Sequence, residues 1–263
     1  MKKWEDLTFS DDFMFKLVLR NQALCQKFVE RLMRRPVMTI RYLEEEKTIE
    51  PRYDGKGIRI DVYVGNDDEV FDLEMQMWNQ GLTNQIKRSR YYQSMLDADM
   101  IKSGENYTKL KKSYVVFICP FDIFGEGRHI YTFSNICHEN HSLSLGDGRE
   151  IIFFNTVGTL PDIPPELQAL ADYINGQITS DSRVNELNNE VEKAKEVEAN
   201  MTAYMNYQLK LEDARYEGEV KGRAETLLDN LRSLMDTLQL SVADAMDALK
   251  VPPAERDKLA SML

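Results

Sequence analysis

The sequence predicts an α/β domain, a mixed sheet flanked by helices, followed by an all-α C-terminal extension. Three observations carry this expectation. Residues 58–64 and 70–77 alternate apolar and polar with a period of two, on either side of the polar turn Gly65-Asn66-Asp67-Asp68-Glu69. Residues 113–119 form a continuous apolar run closed by Pro120, the pattern of a strand buried on both faces. After Gly176 the strand signals stop, and residues 182–219 contain no Pro and no Gly before Gly218.

The elements follow in order. Ser10 or Asp11 can N-cap a helix running to about Arg34, before Pro36, with Phe13, Leu17, Val18, Leu24, Phe28 and Leu32 on one face. Residues 37–43 read as a short strand, followed by the acidic Glu44-Glu45-Glu46. Tyr53-Asp54-Gly55-Lys56-Gly57 is turn chemistry. The alternating hairpin comes next, and Thr83 or Asn84 opens a helix to about Lys102. After the buried strand, Gly125-Glu126-Gly127 reads as a hairpin turn, and residues 128–133 and 150–154 as two more strands. Pro164-Pro165 leads a helix ending near Gly176. This order of helices and strands gives the mixed, helix-flanked sheet.

The domain expectation is residues 1–176 for the sheet domain and 177–263 for the helical extension. In the extension Val184, Leu187, Val191, Ala194, Val197, Met201, Tyr204 and Leu211 recur in steps of mostly three and four. The pattern fits a self-associating coiled coil with a stammer near Ala194, or equally a single helix lying on the domain. Leu227 to Leu238 continue a helix, Ser241 caps another, and Pro252-Pro253 opens a short last one.

Composition narrows the classes. Hydrophobic content of 43% supports a packed core. No apolar run reaches the length of a membrane span, and no apolar stretch follows the basic start, so neither membrane insertion nor secretion is expected. Cys25, Cys119 and Cys137 are odd in number and widely spaced, which points to a reducing cytoplasm. The net charge of −11 is a poor general footprint for gripping nucleic acid, although it permits a local basic face. Cys137, His138 and His141 have a spacing a metal could use, but a structural zinc needs four ligands and no second cluster accompanies them.

The hairpin holds the sharpest feature. Centring its turn on Asp67-Asp68 sets Asp61 opposite Glu74, and Arg59 opposite Gln76. Opposed like charges on paired strands repel. A water-facing polar face is one explanation, a salt bridge to Arg59 another, and a divalent cation between the two acids a third.

The surrounding residues favour the cation. Leu7-Thr8-Phe9-Ser10-Asp11-Asp12-Phe13-Met14-Phe15-Lys16, Arg59-Ile60-Asp61-Val62, Asp72-Leu73-Glu74-Met75-Gln76 and Arg88-Ser89-Arg90-Tyr91-Tyr92 occur in that order. Together they resemble the PD-(D/E)XK nuclease superfamily, and within it the nuclease-family transposases related to recombination-promoting nucleases. The resemblance spans roughly residues 5–175 and implies a restriction-endonuclease-like sheet. It also implies Mg²⁺-dependent hydrolysis of DNA phosphodiesters, with Mn²⁺ as an alternative ion. Asp61 and Glu74 would match the two acidic motif positions and ligate the metal with the Met75 carbonyl. Gln76 stands where the superfamily pattern has Lys; it can orient a water but carries no charge. Lys87 or Arg88 could supply that charge, or lie on a solvated helix face. Asp12 could add a third acid or simply favour the helix start. Lys16 could reach a phosphate or be solvated, and one phenol of Tyr91 and Tyr92 could reach the site. A homo-oligomer through the C-terminal helices would bring two sites to one duplex. A fold that has lost hydrolysis and serves as an interaction module is the alternative.

Overall fold

The two alternating runs pair as their turn requires. In the computed structural model, which describes residues 2–50 and 56–263, β2 (Ile58–Gly65) and β3 (Glu69–Met75) form an antiparallel hairpin with Val62 opposite Leu73 and Gly65 opposite Val70. Continued by one residue, this register sets Asp61 opposite Glu74. Asn66 fixes the turn: its side-chain oxygen accepts the N–H groups of Asp68 and Glu69, both at 2.9 Å. Gly65 is needed because a Cβ there would lie 2.6 Å from the Glu69 carbonyl oxygen.

Around the hairpin stand β1 (Tyr42–Ile49), β4 (Lys112–Cys119), β5 (Ile130–Phe133) and β6 (Arg149–Asn155). The six strands run in the order β1-β2-β3-β4-β6-β5. β3, β4 and β6 are parallel, while β1, β2 and β5 pair antiparallel. The apolar run 113–119 is β4, flanked by β3 and β6, as its lack of a polar face requires. The helices are α1 (Asp12–Leu19), α2 (Gln22–Met33), α3 (Leu82–Met100), α4 (Pro165–Ile174), α5 (Ser182–Glu196), α6 (Glu198–Leu238), α7 (Val242–Ala248) and α8 (Pro253–Ala260). The fold is a restriction-endonuclease-like mixed sheet with flanking helices and a helical C-terminal region.

Several local readings change. The expected helix to Arg34 is two helices, because Asn21 caps a new one by accepting the Leu24 N–H. The first strand is not 37–43 but 42–49, and it takes in the acidic run. β4 and β5 do not form a hairpin around Gly125-Glu126-Gly127, since both pair with β6. Tyr53, Asp54 and Gly55 of the expected turn lie outside the described residues.

Two compact units emerge, residues 2–198 and 199–263. The first runs past the composition change at Gly176 because α5 packs on α1, α2 and α4, burying Val184, Leu187 and Val191. Asp181 caps α5 and pairs with Arg31 at 2.9 Å. The helical run then breaks at Val197, close to the stammer in its apolar spacing. The second unit has its own core of Leu228, Leu231, Ala245, Met246, Val251 and Leu259. No helix among the described residues is long and apolar enough to cross a membrane.

Candidate active site

Arg59 apart, the polar face of the hairpin does not meet water. The helix α3 carries Tyr92, Met95 and Leu96 into a shared core with Tyr63, Val115, Phe117 and Phe153. In that setting Asp61 is 8% exposed, and Asp72 and Glu74 are fully buried. Three carboxylates on one sheet face beneath a helix are costly unless ionisation is compensated.

Asp61 and Glu74 are cross-bonded. Glu74 Oε1 accepts the Asp61 N–H at 3.0 Å, and Asp61 Oδ2 accepts the Met75 N–H at 3.2 Å. The cation on this side is Arg88, not Arg59. Arg88 reaches down from α3 and donates to Glu74 Oε2 at 2.5 Å, Gln76 Oε1 at 2.8 Å and the Tyr92 hydroxyl at 2.9 Å. Its guanidinium also lies 4.8 Å from the Tyr92 ring centre. Gln76 Nε2 donates to Glu74 at 3.3 Å, and Gln85 Nε2 donates to Gln76 at 3.3 Å. Arg59 is exposed and forms no ion pair among the described residues. Lys87 faces solvent.

A second cation stands beside Asp61. Lys16, 3% exposed rather than solvated, donates to Asp12 at 2.7 Å and Glu46 at 2.8 Å. Asp12 therefore contributes at the site's edge through Lys16. Glu46 lies between the pairs Glu45–Val62 and Lys47–Ile60, which sets it opposite Asp61, and its φ is +50°. A left-handed non-glycine residue inside a strand costs free energy, and such strain concentrates at functional sites. Tyr91 turns away and donates to the Lys56 carbonyl; the phenol that reaches the site is Tyr92.

The charges are under-compensated. Burial first, and Asp12 second, push the Asp61 carboxyl up to about 7. Burial also raises Asp72 and Glu74 well above the carboxylate range, with Asp61 adding to the first and Asp72 to the second. Burial works against the charge of Lys16 and of Arg88, yet Asp12 with Glu46 around the first, and Glu74 with Tyr92 and Asp61 around the second, together raise both. Asp72 has the Glu74 carboxyl as its neighbour, and among the described residues no N–H or hydroxyl group donates to either of its oxygens. The three buried acids thus share Arg88, while Lys16, bonded to Asp12 and Glu46, also acts on Asp61.

The donor set fits a hard divalent cation: carboxylate oxygens of Asp61 and Glu74, and a backbone carbonyl at Met75. Among the described residues no three Cys, His, Asp or Glu side chains converge on a point that could hold an ion. The cation would therefore have two protein carboxylates, and Cys137, His138 and His141 form no zinc cluster.

A family model described as PD-(D/E)XK nuclease family transposase matches residues 9–157. The chain belongs to this family. The matched span contains the whole sheet and every group just described, from Asp12 to Arg88. A search of curated proteins gives no match, and neither does a search of solved structures. This family member departs from the Lys of the superfamily pattern at Gln76, and the Arg88 guanidinium donates to Gln76 itself. Sequence reading missed Asp72, Glu46 and Gln85 as part of the site. Asp72 had a signal, because it shares the strand face of Glu74. The left-handed backbone of Glu46 had none.

Proposed function

We propose that this chain is a divalent-metal-dependent DNA endonuclease acting in a transposase-like or recombination-related reaction. The observation that supports it best is the buried pair Asp61 and Glu74 beside Asp72, three acids whose burial outweighs the neighbouring cations and raises their carboxyls. Asp61, Glu74 and the Met75 carbonyl would hold Mg²⁺ or Mn²⁺. A bound divalent ion supplies polarisation of the scissile phosphate and a water of lowered pKa. Gln76, held by Gln85 and Arg88, orients that water through its amide. Arg88 donates to Glu74 and would offer its planar guanidinium to the phosphate oxygens where a bound cation took over that carboxylate. This places the charge missing at position 76 on the next helix. Lys16 is the second cation within reach of the site. Self-association through the helices beyond residue 198 would bring two such sites to one duplex.

One observation favours a second reading. Arg88 already neutralises Glu74, and position 76 carries no charge, as expected of a binding module that no longer hydrolyses. Nicking of supercoiled plasmid with Mg²⁺ or Mn²⁺ separates the two. The endonuclease reading expects wild-type nicking that disappears in Asp61→Ala and Glu74→Ala. DNA binding without nicking would establish the module, and equal nicking by all three proteins would expose a contaminant.

A further inference from the structure

The chain has two tryptophans in opposite settings. Trp4 is buried, and its indole N–H donates to the Lys195 carbonyl at 3.2 Å. Trp78 is 79% exposed and has no hydrogen bond or ring contact among the described residues. A fully presented indole gains nothing from folding and adds apolar surface.

Its position is informative. Gln76 is the last residue tied to the sheet, its N–H donating to the Ile118 carbonyl at 2.9 Å. Trp78 follows two residues later, so the two Cα atoms lie within about 7 Å. The loop is shaped before α3 begins: Asn79 accepts the Gly81 N–H at 2.9 Å, and Gly81 takes a φ of +86° that suits glycine. Met77 and Leu82 beside it, and Ile86 one turn into α3, are also exposed. Lys87 follows with its ammonium in solvent. An aromatic face with flanking apolar groups and a free basic side chain is the composition of a single-strand stacking platform.

We propose that Trp78 stacks on a base of the DNA strand next to the phosphate held at Asp61 and Glu74, with Lys87 on the adjoining backbone. This rests on the nuclease reading and adds to it the residue that positions the strand. Every base has a π-face, so the contact is tolerant of sequence. Trp78 is a positioning residue: it holds the strand and takes no part in the bond changes.

The test uses the full chain in EDTA, where cleavage does not intervene. Intrinsic fluorescence is followed while adding a single-stranded oligodeoxythymidylate of about twelve nucleotides, or an abasic oligomer of equal length and charge. The expected result is saturable quenching by the first and none by the second, with the quenching absent in Trp78→Phe. Binding measured separately by anisotropy should weaken roughly 10- to 100-fold in Trp78→Ala and less than about fivefold in Trp78→Phe. Oligonucleotide binding that leaves Trp78 emission unchanged and is equal in Trp78→Ala would overturn the inference while leaving the nuclease reading intact. A concentration-dependent change in Trp78 emission without DNA would assign the surface to a second copy of the chain and overturn it too. No binding of either oligomer at low salt would also overturn the inference, while plasmid nicking with Mg²⁺ or Mn²⁺ decides the nuclease reading separately.

Discussion

Asp61→Asn is expected to stabilise the ion-free protein near neutral and alkaline pH. Burial, and then the charge of Asp12, raise this carboxyl from an ordinary 3.8 to about 7. The folded state therefore binds the Asp61 proton more tightly than the unfolded state does. Between about pH 4 and pH 7 it carries the larger number of protons, so stability falls as pH rises through this window. A rise of that size corresponds to ~4 kcal/mol. This is a ceiling, because Asp72 and Glu74 titrate together with Asp61. Asn keeps the shape and an oxygen for the Met75 N–H, now at 3.2 Å, while removing the charge. Urea unfolding in EDTA, followed by circular dichroism from about pH 5 to about pH 8, measures the effect. The wild type should lose stability across the range, and the variant should lose less and end about 1–4 kcal/mol more stable. Mg²⁺ should restore the wild type at the upper pH and do little for the variant. Parallel pH profiles, with the variant less stable at every pH, would refute the reasoning.

Arg88→Ala leaves Glu74 buried without its cation and should cost about 3 kcal/mol in EDTA, with Mg²⁺ narrowing the gap in a thermal melt. Arg88→Lys should recover only part of this, because an ammonium cannot reach Glu74 and Gln76 with the same fork. Leu231, fully buried in the 199–263 unit, should cost about 2–5 kcal/mol of that unit's stability as Leu231→Ala. Hydrogen exchange should show the loss confined to residues 199–263, with the sheet still protected.

The sequence disclosed the hairpin more fully than anything else. Its register was legible because period-two alternation and an Asn-Asp-Asp turn leave one centre for the pairing, and a slip of one residue would turn every apolar side chain over. The meeting of Asp61 with Glu74 follows from that. What covers the two acids was not legible. Arg88, Lys87 and Tyr91 share one polar helix segment, and only packing against Phe117 and Tyr92 selects Arg88 to turn inward. Lys16 read as a phosphate contact or a solvated residue, and its pairing with Glu46 was hidden because that residue is thirty positions away on a strand. Asp72 looked like one more surface acid, since burial of a strand's polar face depends on the helix that crosses it. The extent of the first unit was hidden for a related reason: α5 has the composition of an exposed helix, and only Val184, Leu187 and Val191 dock it.

The most direct measurement is a crystal grown with Mn²⁺ and examined for anomalous scattering at the site. The account predicts one peak on the order of 2.1 Å from oxygens of both Asp61 and Glu74, with the Arg88 guanidinium moved off Glu74. No peak, with the Arg88–Glu74 contact still at 2.5 Å, would contradict it.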